Sequence, residues 1–384
     1  MEAVLFEDHK WMNFLPLVYT RPVGELRIGI FTIAEKWSRA LNMNVAHNSR
    51  QEMRGLFSFP SEKEQILINA RCLPTPALTE SILKLLPGEA IKKGDTIIAS
   101  YPKNSEDTSY SNAKEWELEC YILNQIPDIF TLNHVALELD AVAWARTETH
   151  AVVSDSNKII GDASKVLVAT GAKAEGCTFN TTNGPIIIDK DAEVMEGALI
   201  RGPFYLGEHS QIKMGAKIYG ATTIGPHCKV GGEVSNSVIM GYSNKAHDGF
   251  LGNSVLGEWC NLGADTNNSN LKNNYSRVKI WNYESRDFVD TGLTFCGLIM
   301  GDHAKSGINT MFNTGTVVGP FANVFGGGFP PKYIPAFAWG GADGFENYDF
   351  QKAMQTAERV FARRSISLTK EYQELYANII EKAI

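Results

Sequence analysis

No apolar run in this 384-residue chain approaches the length of a membrane span. The N-terminal MEAVLFEDHK lacks the basic-then-apolar order of a secretory leader. Neither a membrane anchor nor an exported protein is therefore expected. Cysteine is sparse, with six scattered residues and no Cys-x-x-Cys pair, which leaves no disulfide framework or zinc cluster to expect. That usage points to a reducing compartment, with the cytoplasm as the default. Excess positive charge is also missing. A formal net charge of −7 argues against a general nucleic-acid or anionic-membrane partner, while leaving room for a local basic phosphate pocket.

What the chain does have is a six-residue rhythm. An aliphatic residue returns at Ile188, Val194, Ile200, Leu206, Ile212, Ile218, Ile224 and Val230. Helices and strands repeat at 3.6 and 2 residues, so neither produces this register. The ladder extends upstream through Ile160, Val166, Ala172 and Thr178, and downstream through Leu256, Leu262, Met300, Ser306, Phe312, Val318 and Val324. Four residues after the ladder position the side chain is almost always small, as at Ala198, Ala216, Cys228 and Cys260. Glycine often follows the ladder residue directly, as at Gly207, Gly225 and Gly263. An aliphatic side chain filling a coil, a small one at its corner and a glycine at the turn describe a parallel β-helix of stacked hexapeptides. Chance spacing in a glycine-rich sandwich is the alternative.

Residues 1–132 read differently. Short strands at Ala3–Phe6, Gln65–Asn69 and Gly94–Ala99 alternate with helical spacing at Ile30–Leu41 and Leu73–Leu86, which predicts a small α/β domain. Residues 133–149 form a connecting helix whose Leu137, Val142 and Trp144 pack between domains. The β-helix occupies 150–339, with breaks in register at 178–188, at Val234–Val255 and at Asn267–Phe295. Residues 340–384 form amphipathic helices expected to cap the open end of the coil.

The histidines separate into two kinds. His209, His227 and His303 each stand three residues after a ladder position, an outward turn slot expected to be solvated. His247 lies inside the second break, where the coil is expected to throw out or distort a loop. Loops on rigid scaffolds carry catalytic groups, and an ordinary histidine pKa of about 6.5 suits a general base.

The segment EVSNSVIMGYSNKAHDGFLGNSVLGEWCNLGADTNNSN, from Glu233 to Asn270, resembles the acyltransferase half of the bifunctional N-acetylglucosamine-1-phosphate uridyltransferase/glucosamine-1-phosphate acetyltransferase family. Lys245-Ala246-His247 with Phe250-Leu251-Gly252, then Asn261-Leu262-Gly263-Ala264-Asp265-Thr266, carry the likeness. The resemblance implies a left-handed parallel β-helix that assembles as a homotrimer. It implies His247 as general base, Glu233 as the carboxylate toward the amine, and Lys245, Phe250, Asn261 and Asn270 around the acceptor sugar. Ala264 falls at an acyl-CoA contact, with acetyl-CoA or another acyl-CoA as co-substrate. Three positions depart from the family: Phe250 replaces a tyrosine, Asp265 a glycine, and Ser235 stands near an expected lysine.

The N-terminal region is similar to a sugar nucleotidyltransferase, and the whole chain to a variant group of such proteins from Bacteroidetes-type bacteria. Phe14-Leu15-Pro16-Leu17 and Thr20-Arg21-Pro22 carry that likeness, which implies a nucleoside triphosphate and a sugar-1-phosphate as partners, with Mg2+. Two expected features are missing. Glu7-Asp8-His9-Lys10-Trp11 has no glycine to wrap a triphosphate, and Asn69-Ala70-Arg71 stands where the metal aspartate belongs. Arg21, Arg27, Lys36 and Arg71 are the cations left for phosphate, and Asp8 the carboxylate left for a metal. Structural pairing of Arg21 and Arg27 with Glu25 or Glu35 is the alternative.

These readings together predict a sugar-nucleotide-pathway transferase with two sites. One rival keeps a single active site, with the N-terminal domain as a degenerate sugar-phosphate-binding module. Another is a non-catalytic β-helix scaffold.

Overall fold

The computed structural model describes residues 2–61, 64–103, 110 and 112–383. The N-terminal region forms a six-stranded mixed sheet. Strands β1 (Glu2–Phe6), β2 (Val45–Asn48) and β3 (Gln65–Asn69) run parallel, with β1 central. Beyond β3, β5 (Thr96–Tyr101) pairs antiparallel to it, and β4 (Glu89–Lys93) and β6 (Lys114–Glu115) complete the edge. Helix α1 (Ile33–Leu41) starts three residues later than its apolar spacing predicts, because Thr32 and Glu35 close a reciprocal capping box there. Helix α2 (Pro76–Leu83) likewise begins at its N-terminal proline, with Thr75 as the cap.

After the short α3 (Asp128–Thr131), helix α4 (Asn133–Thr147) joins the two halves. Leu137 and Trp144 are buried against Ile187, Tyr205 and Ala221 of the β-helix, as expected. Val142 is 55% exposed and packs in no such interface.

The β-helix has three parallel faces of six, nine and ten strands, the last closed by an antiparallel pair at Ala338–Gly341 and Gly344–Asn347. All eight residues of the central ladder are buried at 2% exposure or less. The upstream extension is displaced. Ile159 and Phe179 align with Ile200, and Ala174 aligns with Val194, so Ile160, Ala172 and Thr178 are not the core column. The insert after Thr178 moves the register of the first coil.

The second break is also not what the spacing suggested. No loop leaves the coil between Val234 and Val255. Core residues continue through Val234, Ile239, Lys245, Leu251 and Leu256, and the strands stay in register with both neighbours. The register slips because corners shorten. Val230 and Val234 are four residues apart, so their corner is Gly231-Gly232 alone. Gly232 has φ +70°, and a Cβ there would lie 2.8 Å from the Gly249 carbonyl. Only glycine permits this close stacking of coils.

The third break is a true excursion. Its hairpin, Lys279–Asn282 with Asp287–Asp290, places Ile280, Trp281, Tyr283 and Val289 against the N-terminal core. That core also takes in Val238, Met240, Val255, Ile299 and Val317 from one face of the coil, so the two halves share a hydrophobic interface.

Helices α5 (Phe350–Ala362) and α6 (Lys370–Ala383) do not sit over the end of the coil. They lie along one corner, where Phe361, Tyr376 and Phe350 pack on a column of rings. The column runs His209, His227, Tyr242, Trp259, His303, Phe321 and Phe337, one ring per coil, with adjacent centroids 4.2–6.1 Å apart and planes within 19°. Each has a φ between 52° and 62°, the left-handed turn of its corner.

Candidate functional site

His247 stands on a full four-residue corner, Ala246 to Gly249, between the strands Asn244–Lys245 and Phe250–Gly252. The truncated Gly231-Gly232 corner lies directly before it in the stack, and two adjacent glycines put no side chain beside the imidazole's coil. On the other side the Asp265 amide donates to the Asp248 carbonyl at 3.1 Å, which places Ala264 on the next corner beside His247. His247 is exposed, and no side-chain hydrogen bond constrains its ring among the described residues.

Glu233 belongs to the adjoining face. It pairs with Lys217 on one side and Phe250 on the other, and its carboxylate is 3.8 Å from the Lys217 ammonium. Phe250 folds back over Gly252, where a Cβ would meet both the Phe250 ring tip at 2.4 Å and the Asn270 amide at 2.7 Å. Asn270 Nδ2 donates to Asn253 Oδ1 at 2.7 Å. Asn267, one coil on, accepts from the Phe250 amide at 2.8 Å. The fold thus gathers Glu233, His247, Phe250, Ala264 and Asn270 at one corner and the face it feeds.

Lys245 and Asn261 go elsewhere. Lys245 aligns with Val230 in the core column and is 2% exposed, so it points into the coil rather than at an acceptor. Its Nζ donates to the His247 carbonyl at 2.6 Å, and burial lowers its pKa to about 8. Asn261 is outward on the face before the corner, in register with Asn244 and Lys305.

The N-terminal cations are each paired with a different carboxylate. Arg21 is buried against Asp302 and lies 3.1 Å from Glu258, both on the β-helix. Burial works against its charge, but these two carboxylates outweigh it and raise its pKa above the ordinary arginine value. Thr20 donates to the same Asp302 at 2.7 Å. Arg27 donates to the carbonyls of Ile30 and Met240 and lies 3.8 Å from Glu35. Lys36 is buried on Asp140, which also receives the Ile30 amide. Arg71 forks onto Asp8 and donates to the Leu123 carbonyl at 2.7 Å. Among the described residues these four cations are thus held apart, each by its own carboxylate partners. Phe14 and Leu17, from the segment expected against nucleotide phosphates, are fully buried.

Asp8 does not fit a magnesium ligand. Its oxygens accept from Lys10, Asn69 and Arg71, and the guanidinium occupies the space a cation would take. Elsewhere, Glu208, His209 and His227 bring ligand atoms within 4.8 Å of one another at the exposed start of the ring column. The two imidazoles are stacked at 4.9 Å, so their lone pairs run side by side and share no focus.

His303 is a correction. It is not a solvated turn residue but is 1% exposed, stacked 4.5 Å from Phe321 and bonded through Nε2 to the Tyr376 hydroxyl at 3.1 Å. Burial holds its pKa well below the usual histidine value.

Residues 3–148 match the family model described as sugar nucleotidyl transferase. The α/β sheet with its missing glycine loop is thus a nucleotidyltransferase-like domain. A bifunctional sugar-1-phosphate nucleotidylyltransferase/acetyltransferase of Sulfurisphaera tokodaii is 36% identical over 146 residues, covering 38% of this chain and 36% of that protein. A bifunctional protein GlmU of Methanocaldococcus jannaschii is 37% identical over 87 residues, 23% of this chain and 21% of its own. The chain thus spans about a third or less of the length of these curated relatives. Among solved structures, a UDP-N-acetylglucosamine acyltransferase aligns over 62% of this chain and 90% of its own, at 12% identity and a TM-score of 0.22. The corresponding Arabidopsis enzyme aligns over 61% and 92%, at 14% identity and a TM-score of 0.20. Among the described residues, no helix is long and apolar enough to cross a membrane.

Proposed function

We propose that this chain is a cytoplasmic sugar-nucleotide-pathway transferase whose acyl-transfer site is the His247 corner. The observation that carries this reading is the stacking of His247 and Ala264 on consecutive corners beside the shortened Gly231-Gly232 turn, with Glu233 on the adjoining strand and Asn270 just past the strand Asn267–Asn268. The acceptor is an amino sugar phosphate and the donor an acyl-CoA. The amine nitrogen attacks the thioester carbonyl carbon while the His247 imidazole takes its proton. Backbone amides of the coil turns hold the oxyanion, the C–S bond breaks, and the departing thiolate receives the proton from His247. An amide and a free thiol result. Glu233 keeps the incoming amine oriented, and Phe250 walls the site where a tyrosine hydroxyl would otherwise donate.

A homotrimer accompanies this reading. Met214 and Ile308, both about 70% exposed, lie in the same column of corners as His247, each two coils away from it, and Leu199 and Met311 lie on the adjoining face. Apolar exposure along a site edge fits closure by a neighbouring subunit.

In the N-terminal domain the corresponding reading is nucleotidyl transfer from a nucleoside triphosphate to a sugar-1-phosphate. Magnesium would neutralise phosphate charge there, and Asp8 as paired is not its ligand. The Asp8–Arg71 pair favours a second reading, in which this domain is a sugar-phosphate-binding or structural module and only the β-helix is active. Mixing the protein with each of the four common nucleoside triphosphates, glucosamine-1-phosphate, acetyl-CoA and magnesium separates the two. Free thiol and pyrophosphate would both appear for a two-site enzyme. Thiol alone supports the second reading, and neither product would sink the transferase proposal.

A further inference from the structure

A cleft of about 480 Å³ lies between the end of α5 and the coil face that carries Asn261. Its cations are Lys229 and Lys305 from the coil and Arg363 and Arg364 from the turn after α5. No carboxylate lines it, and none of the four cations forms an ion pair among the described residues. Four uncompensated positive charges in a protein of net charge −7 are a local reversal of sign. Lys305 is the costliest of them. Its Nζ reaches only the His303 carbonyl, at 2.8 Å, and burial lowers its pKa to about 8.

The cleft's remaining polar groups are not phosphate partners. Asn244, between Lys229 and Asn261 in the same column, has a buried Oδ1 with no hydrogen-bond donor. An acceptor of that kind calls for a hydroxyl or amine from a ligand. Tyr242 and Trp259 of the ring column close one wall with their ring edges, because the faces of each ring are covered by its neighbours in the stack. We propose that this cleft is a binding site for a phosphorylated sugar, with the phosphate held by Lys229, Lys305, Arg363 and Arg364 and a hydroxyl donating to Asn244.

The phosphate could belong to a free sugar phosphate or to the phosphorylated ribose of a nucleotide such as coenzyme A. The site does not depend on the His247 reading, since Ala246 is its sole residue from that corner.

Calorimetric titration of the full chain with glucosamine-1-phosphate, coenzyme A and unphosphorylated glucosamine tests it. At least one phosphorylated compound should bind, more weakly as salt rises, and glucosamine should not. Whichever phosphorylated compound binds more tightly identifies the source. The double variant Lys229→Ala/Arg363→Ala removes two side chains outside the core and should weaken binding at least tenfold with an unchanged circular-dichroism spectrum. His247→Ala should leave this affinity intact even where it abolishes turnover. Absence of binding by both phosphorylated compounds, or equal affinity in the double variant, would overturn the proposal.

Discussion

Lys245 is the residue whose sequence context and position disagree most. Its neighbours resemble a substrate-binding motif, yet its place in the six-residue column turns it into the coil, where an aliphatic side chain is the rule. The cost of burial shows in a pKa lowered to about 8. The unfolded chain binds this proton up to about pH 10.4, so stability rises with pH between about 8 and 10.4 on its account. Below pH 8 both states are protonated and the full penalty stands, on the order of 3 kcal/mol. Lys245→Met should therefore raise the urea midpoint at pH 7 and lose that advantage above pH 10.5. Its bond to the His247 carbonyl makes it a positioning residue. The same variant should lower kcat more than it raises KM, a split that a purely structural lysine would not produce.

At the scale of elements, the ring column ties α5 and α6 to the coil. Every ring occupies the third position after a core residue, from Leu206 to His209 through Ile334 to Phe337. The column was therefore readable once the ladder was known. Its burial was not, because nothing in the spacing says which corner the C-terminal helices cover. His303 illustrates the point: the slot is outward from the coil, and α6 then closes over it. A histidine held neutral in the fold costs stability as pH falls below its unfolded pKa of about 6.5, where the unfolded chain binds the extra proton. His303→Phe continues the column with the ring type of Phe321 and Phe337. Denaturant unfolding should show a smaller loss of stability between pH 6.5 and 5 in this variant than in the parent. An unchanged slope would mean that another group dominates the acid transition.

The coil residues of the cleft follow a rule of their own, since Lys229, Asn244, Asn261 and Lys305 each directly precede a core position. Arg363 and Arg364 join them only because α5 runs back along the coil, a placement set by the packing of distant segments. At the break around His247 the spacing marked an irregularity but not its kind. A missing residue shortens a corner and shifts the register as surely as an inserted one, and the two are indistinguishable in a periodic pattern until strand pairing is known.

For the whole molecule, the two halves are joined by more than α4. Arg21, expected at phosphate, instead lies at the interface between them, where the buried Asp302 and the partly exposed Glu258 meet it. Removing one member of such a set strands the others, at about 3–5 kcal/mol. Arg21→Ala should lower stability by that amount and leave any residual phosphate affinity of the protein unchanged. A variant that kept its stability and lost phosphate binding would restore Arg21 to a ligand role. The hairpin at 279–290 and the shared core add to this interface, so unfolding of the two halves should be coupled in a single transition.

Acyl transfer at the His247 corner is tested most directly by comparing the parent with His247→Ala in acetyl-CoA-dependent modification of glucosamine-1-phosphate, followed by mass spectrometry. Loss of a positioned general base should slow turnover by about 10²–10⁴-fold while the protein keeps its unfolding midpoint. Equal rates of product formation in the two proteins would contradict the assignment of this corner as the catalytic site.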